Sequence, residues 1–327
     1  MKCSGFLLFC CATTAALAYD YPDVSHRYSI IADFVYFKRA HVGNRSIVKD
    51  SSEPQLCSCS DFTVMEAEDP THRFSLEPGY RLGFWCMFDR HNSLEGNYTW
   101  VSGWEGGDDQ HGDGTLYFPF RGNGGSRDMR RADSAFAHYD SHFQSAEINY
   151  WRHVTPRFGN YFSCSWIAGL RWIALDETFL LGFIKGRSRS DYKIEAWNLM
   201  GGVQAGLDLQ VNPYRWMYWE LVPKIGILLN RGQQETFLGD RNNRKVLRDF
   251  EVSRYQDTLL VQADASVHIQ PWTCFDVHVG YEFIYLNAVA LAPDQISKGT
   301  GADSGEKVNM SEYVTIYGLF VGTTFNF

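Results

Sequence analysis

Ten stretches of this chain alternate apolar with polar or small residues at a period of two, and the gaps between them alternate long and short. The stretches fall at about 27–38, 79–88, 93–101, 141–152, 161–175, 194–210, 215–229, 258–269, 274–286 and 312–327. Their gaps run 40, 4, 39, 8, 18, 4, 28, 4 and 25 residues, so long and short never trade places. A period of two gives each strand one apolar face, which a soluble β-sandwich would share. The connections separate the two architectures, because short turns at one end and long loops at the other belong to a closed barrel crossing an outer membrane. An even strand number also returns the C-terminus to the side where the N-terminus began. The fold expected is all-β: a closed antiparallel up-and-down transmembrane β-barrel of about ten strands with five long extracellular loops. The gap 230–257 leaves room for one more hairpin, which makes twelve strands the alternative.

The two faces differ in chemistry. Tyr28, Ile30, Ala32, Phe34 and Tyr36 share a face opposite Ser29 and Asp33; Val277, Val279, Tyr281 and Phe283 share one opposite Asp276, His278 and Glu282. In a membrane barrel the apolar face meets lipid, and closure is required because an open edge would strand backbone groups in hydrocarbon. Aromatics make up 16% of the chain, enough to form interfacial girdles. Tyr150, Trp151, Tyr214, Trp216, Trp272 and Phe327 lie near the short-turn ends; Trp100, Trp172, Trp197, Tyr285 and Tyr313 lie near the long-loop ends. The opposite face then points into the lumen. It carries Arg81, Arg171 and Lys224 against Asp33, Glu95, Glu147, Asp208, Glu220, Asp264, Asp276 and Glu282. Two readings follow. A water-filled path with this acidic excess favours cations, whereas a plugged lumen uses the three bases to tie carboxylates into the wall. Ten strands enclose little space, which favours the plugged reading.

Both ends of the chain carry processing signals. Lys2, the apolar run 5–17 and the small-x-small triplet Ala16-Leu17-Ala18 read as a secretory signal peptide over 1–18. The barrel domain is then 19–327, exported to a bacterial outer membrane. The other end, YVTIYGLFVGTTFNF, is an amphipathic strand whose apolar face includes Phe325 and Phe327. Terminal strands ending in Phe resemble the signal read by barrel-assembly machinery, so that machinery and the lipid bilayer are the expected partners.

Five cysteines remain after cleavage: Cys57, Cys59, Cys86, Cys164 and Cys274. An odd number in an exported chain leaves at least one thiol free or intermolecular. Cys57 and Cys59 are too close for an easy mutual bridge, which makes each a candidate for a disulfide to another envelope protein. The balance of 30 Lys+Arg against 38 Asp+Glu excludes nucleic acid as an expected partner.

No stretch demands an enzyme, a cofactor or a metal. The run 108–114, DDQHGDG, fails as an EF-hand loop, with His111 at the third position and Phe120 at the twelfth; it reads as a solvated loop. Asp176 and Glu177 read as a strand-to-loop junction, since adjacent residues on a strand point to opposite faces. Patterns for nucleophile elbows, zinc proteases or phosphate loops do not occur in the sequence.

Several stretches carry a family resemblance. The run 167–177, IAGLRWIALDE, resembles the "aGfRy-x-x-LdE" strand of the β-barrel porin-7 family, and 146–150, AEINY, resembles its preceding "aElNy" strand. The run 198–206, NLMGGVQAG, is similar to its "N-x-x-x-G-x-Q-x-G" segment. Val279-Gly280-Tyr281 followed by Pro293-Asp294-Gln295-Ile296 is similar to its "vGY…P-x-D-Q-I" stretch. The Legionella-type major outer membrane proteins are a looser relative. The resemblance implies a porin-like outer-membrane barrel without naming a solute. A departure is Leu291-Ala292 before the proline, where members often carry an arginine. Two functional classes therefore stand: limited passage of small solutes, and a non-conducting structural or adhesive surface protein acting through its extracellular loops.

Overall fold

The computed structural model describes residues 27–40, 45–51, 62–89, 91–121, 125–154, 161–214, 216–272 and 274–327. The signal-peptide segment and both Cys57 and Cys59 lie outside them. The described strands are β1 (Tyr28–Ala40), β2 (Ser46–Asp50), β3 (Phe62–Glu66), β4 (Glu77–Asp89), β5 (Asn92–Tyr117) and β6 (Arg130–Val154). They continue with β7 (Phe162–Lys185), β8 (Ser188–Tyr214), β9 (Met217–Asp240), β10 (Lys245–Trp272), β11 (Phe275–Val289) and β12 (Glu312–Asn326).

Ten of these close a ring. Each of β4 to β12 pairs antiparallel with the next, and β1 seals the ring between β12 and β4. The remaining two, β2 and β3, form a small hairpin within the first long connection, and β2 also pairs with the outer end of β5. The barrel is therefore ten-stranded, as the alternation implies. The gap 230–257 holds no extra crossing; β9 and β10 simply run on as one tall hairpin that turns at 241–244.

That hairpin is one of three that replace expected loops. The 39-residue gap shrinks to 118–129, and the 18-residue gap to Gly186-Arg187, because β5 to β10 continue far beyond the apolar belt. The strands rise as an extracellular collar. The outward-apolar alternation is lost there because the outward face meets water and turns polar, while the inward face mixes buried apolar residues such as Leu181, Phe183, Tyr192 and Ile194 with polar ones. On β9, Arg231, Gln233 and Glu235 point outward while Asn230, Gln234 and Thr236 are buried inward. Asp176 and Glu177 accordingly sit inside β7 rather than at its end, and 108–111 belongs to β5 paired with β6.

Below the collar the outward face is apolar and exposed: Phe34, Leu170, Val203, Ile225 and Ile227 are each more than half accessible. A belt of this size on a closed barrel is a surface for lipid. No helix among the described residues is long and apolar enough to span a membrane. Outward aromatics edge the belt, including Tyr150, Trp216 and Trp272 at the short-turn end. Trp151 does not join them. It is buried, faces inward and donates its indole N–H to Glu95 Oε2 at 2.9 Å, because its neighbour Tyr150 takes the outward position.

The seam is closed by the last residue. Phe327 N donates to Tyr28 O, and its carbonyl accepts from Arg27 N and Tyr28 N. Gly318 faces inward at this seam opposite Phe37, where a Cβ would collide with the Tyr36 carbonyl.

The collar tips are tied by two carboxylates. Asp240 Oδ1 accepts from Ser126 Oγ and Arg127 N, both at 2.8 Å. Asp128 Oδ2 accepts from Ser190 Oγ at 3.0 Å and Arg241 N at 2.9 Å. Burial works to raise the Asp240 pKa, but the bonds from Ser126 and from the amides of Arg127, Asp128 and Arg241 outweigh it and hold the carboxyl below its ordinary value. Its tie is thus fully present above the unfolded aspartate value of about 3.9 and is lost as pH falls through the lower folded value. Pepsin cleavage around 125–130 is expected to rise steeply as the pH drops below that range. An Asp240→Asn variant should be cleaved readily even at the upper end of pepsin's range; equal cleavage of both proteins there would contradict the assignment.

Candidate functional site

The lumen is the site, and its contents form three storeys. The first lies beside the periplasmic turns. His268 on β10 stands directly across from His278 on β11, and Asp276 sits two residues before His278 on the same face. Asp276 Oδ1 meets His268 Nδ1 at 2.9 Å and His278 Nδ1 at 3.2 Å. The far nitrogens are also engaged: His268 Nε2 lies 3.2 Å from Glu220 Oε2, and His278 Nε2 lies 2.9 Å from Asp33 Oδ1. Across the floor, Asp208 accepts from Ser165 Oγ at 3.2 Å and from Gln210 Nε2 at 3.3 Å; Gln210 Nε2 also reaches Glu220 at 3.0 Å. Glu95 accepts from Asn149 Nδ2 and Trp151 Nε1, both at 2.9 Å.

The second storey is a charged hub. Glu147 on β6 receives Arg171 Nη1 at 2.7 Å, Lys224 Nζ at 2.9 and 3.1 Å, and Gln204 Nε2 at 2.6 Å. These four side chains come from the neighbouring strands β6, β7, β8 and β9, so the hub ties together one side of the shaft. Opposite it, Arg81 on β4 pairs with Glu282 and lies 3.6 Å from Asp33. Gln262 Nε2 bridges Asp264 and Glu282, at 3.0 Å to each. A charge is costly to bury unless paired and hydrogen-bonded, and these pairs meet that condition.

The third storey is apolar. Val35, Phe37, Phe143, Ile173, Leu175, Met200, Leu228, Leu260, Ile284 and Ile316 all point inward and are buried. Into this layer the β11–β12 connection folds back: every residue from 288 to 296 is buried, with a 3-10 turn at Ala292–Gln295. A buried loop needs partners for its backbone, and the strands supply them. Asn198 donates to Ala290 O and accepts from Ala290 N, both at 2.8 Å. Asn230 Nδ2 donates to Ala288 O at 3.1 Å. Glu177 accepts from Ala292 N at 2.8 Å while paired with Arg39, whose guanidinium lies over the rings of Phe74 and Tyr139. Farther out, Arg248 reaches Ser297 O and Gly299 O.

All ten residues expected to face the lumen do so: Arg81, Glu95, Glu147, Arg171, Asp208, Glu220, Lys224, Asp264, Asp276 and Glu282. They do not form one ring but divide between the floor and the hub. Sequence reasoning passed over His268 and His278 although their parity placed them inward, and it passed over Gln204, Asn198 and Asn230 because neutral amides leave no charge signal. The inward loop had one available trace, the unbroken apolar run Ala288 to Ala292 where a surface loop would be polar.

Outside the lumen, Glu105, His138 and Asp140 cluster on the outer wall of the collar, with His138 Nε2 3.5 Å from Glu105 and 3.2 Å from Asp140. All three are at least partly open to solvent, so nothing desolvates them. Cys86 and Cys164 are half-buried and Cys274 is exposed.

No family model matches the chain, and no curated protein does. Among solved structures, the outer membrane protease OmpT from Escherichia coli superimposes at a TM-score of 0.50 with 10% identity, covering 96% of this chain and 100% of that one. LpxR from Salmonella typhimurium matches at a TM-score of 0.30 with 8% identity, over 91% of this chain and 100% of that one. Ail of Yersinia pestis matches at 0.25 with 8% identity, over 92% and 99%. At such identities the likeness extends to architecture alone, and only the first is close enough to bear on it. The chain has the fold of an outer-membrane β-barrel protein, closed by ten strands and filled from within.

Proposed function

We propose that the protein is an outer-membrane barrel that is closed at rest and works through its extracellular collar. The observation that carries this is the inward fold of 288–296, hydrogen-bonded to β7, β8 and β9 within the apolar storey. A path for ions must be wet and continuous, and here an apolar layer lies across a polar shaft. The collar offers the working surface. Arg131, Arg187, Arg189, Arg241 and Arg244 are exposed around its tips, while the chain as a whole has a formal charge of −8. That polarity suits anionic groups on a partner surface.

Limited passage of small solutes is the second reading, favoured by the polar shaft beneath the plug. It requires 288–296 to leave. The two are separated by planar-bilayer recording: purified protein is expected to give no steady conductance steps, and reproducible open channels from the unmodified protein would overturn closure at rest.

The rest of the reading concerns delivery. Export by a signal peptide over 1–18, recognition of Phe325 and Phe327 by barrel-assembly machinery, and disulfides from Cys57 or Cys59 to envelope proteins fit an outer-membrane location. The ordered motifs that resemble those of the porin-7 family fit the same location. No catalytic role is included.

A further inference from the structure

We propose that His268, His278 and Asp276 form a binding site for a divalent transition metal of the zinc class at the periplasmic floor of the lumen. The site is independent of whether the lumen conducts. Its ligand atoms lie within 4.8 Å of one another. The hairpin β10–β11 builds it directly: the two histidines are a cross-strand pair, and Asp276 is the next inward residue toward the turn. Cross-strand side chains on one face stand about 4.5–5.5 Å apart at Cβ, so no long loop has to close to assemble the three.

The donor geometry suits a metal in place of protons. Both Nδ1 atoms converge on the same carboxylate oxygen, at 2.9 and 3.2 Å. Ligands about 2.0–2.1 Å from a tetrahedral Zn²⁺ stand about 3.3 Å from one another, so small movements would admit the ion. The other oxygen, Asp276 Oδ2, is buried and has no hydrogen-bond partner. Such an orphan in a residue only 4% exposed requires an explanation, and a metal supplies one.

The surroundings carry the stronger signature. A metal-bound histidine usually donates its second ring N–H to a carboxylate, which fixes its tautomer and orientation. Here a carboxylate is in place for each: His268 Nε2 lies 3.2 Å from Glu220, with Ser266 Oγ beside it at 2.9 Å, and His278 Nε2 faces Asp33. Tyr218 stacks on His268 with centroids 4.3 Å apart, restraining that ring further. Charge also balances. Glu220, Asp276 and Asp33 bring three negative charges, Arg81 partly offsets Asp33, and a dication replaces the protons otherwise needed on the two rings. Imidazole with carboxylate favours Zn²⁺, Co²⁺, Ni²⁺ or Cu²⁺ over Mg²⁺ and Ca²⁺.

The test uses the mature protein extracted in detergent and stripped with a chelator. Titration with Zn²⁺ followed by calorimetry is expected to show one equivalent, and Co²⁺ should give the intense visible absorption of a tetrahedral site. His268→Gln and His278→Gln should each abolish both signals, and Glu220→Gln should weaken affinity about 10–100-fold. His138→Gln, on the collar, should change neither. Absence of Zn²⁺ and Co²⁺ binding, retention in both lumen variants, or loss in His138→Gln would each overturn the assignment. Should the lumen variants fail to fold, Zn²⁺ must protect His268 and His278 of the unmodified protein from diethyl pyrocarbonate, read by mass spectrometry. Equal modification with and without Zn²⁺ would also refute the site.

Discussion

Glu147→Leu is expected to destabilise the barrel by about 3–5 kcal/mol, the range for removing one partner of a buried charge network. Among the described residues Glu147 is the one carboxylate that both Arg171 and Lys224 contact directly, and their side chains are only 3% and 5% exposed. Leucine fills the volume but leaves two cations without their shared acceptor, while the Gln204 amide keeps Asn149 Oδ1 at 2.7 Å. Asp264 and Glu95 stand near enough to offset part of the loss at Lys224, but Arg171 has no comparable substitute in contact. The measurement is chemical unfolding in detergent, followed by the gel mobility shift between folded and unfolded barrel. Adding Lys224→Met to Glu147→Leu removes one stranded charge, so the double variant should regain stability relative to the single one. A loss under about 1 kcal/mol, the level of an exposed ion pair, would show that water reaches the hub and that the shaft is wetter than the packing implies.

The second large effect concerns the plug. Asn198→Leu removes both hydrogen bonds to Ala290 and leaves its N–H and C=O buried without partners. Each orphaned group costs about 1–3 kcal/mol, so the docked loop should weaken by about 2–6 kcal/mol. Since 1.4 kcal/mol is tenfold in an equilibrium, local opening should rise by at least about 30-fold. Amide hydrogen exchange over 289–296 reports this directly, and it should accelerate while the barrel strands stay protected. Intermittent conductance should appear in bilayers with the same variant. Unchanged exchange would mean that apolar packing alone holds the loop. Fast exchange without conductance would place the seal in the strand side chains, Phe37, Phe143 and Leu228 among them, rather than in the loop.

Much of the barrel was legible because lipid imposes a strict rule. Every crossing strand must show apolar side chains on alternate positions, so Ile30, Phe34, Leu170 and Val203 declare the outward face and, by parity, the inward one. That rule stops at the membrane surface. Above it the outward face turns polar, as at Arg231 and Gln233, and the inward face mixes Gln234 with apolar residues such as Leu181 and Ile194, so the outward-apolar signal is lost; this is why the collar reads as loops. Trp151 was misplaced for a related reason, since an aromatic near a turn fits either a girdle or a lumen wall. Asp176 and Glu177 mimicked a strand end because Glu177 is a buried charge, which alternation cannot anticipate.

The amino-acid sequence by itself narrowed the crossing strands to ten or twelve and marked their inward and outward faces, with the ten charged positions on the inward one, because all of these follow from a local repeat. Only the tertiary structure decided what those positions do. Asp33 and His278 meet across 245 residues, Arg39 and Glu177 across 138, and Asn198 and Ala290 across 92. Closing the ring sets those meetings, through the register of ten strands and the inward turn of one loop. A lumen of open charges and a filled, three-storey one share the same alternation; which of them exists depends on distances across the barrel that no periodicity encodes.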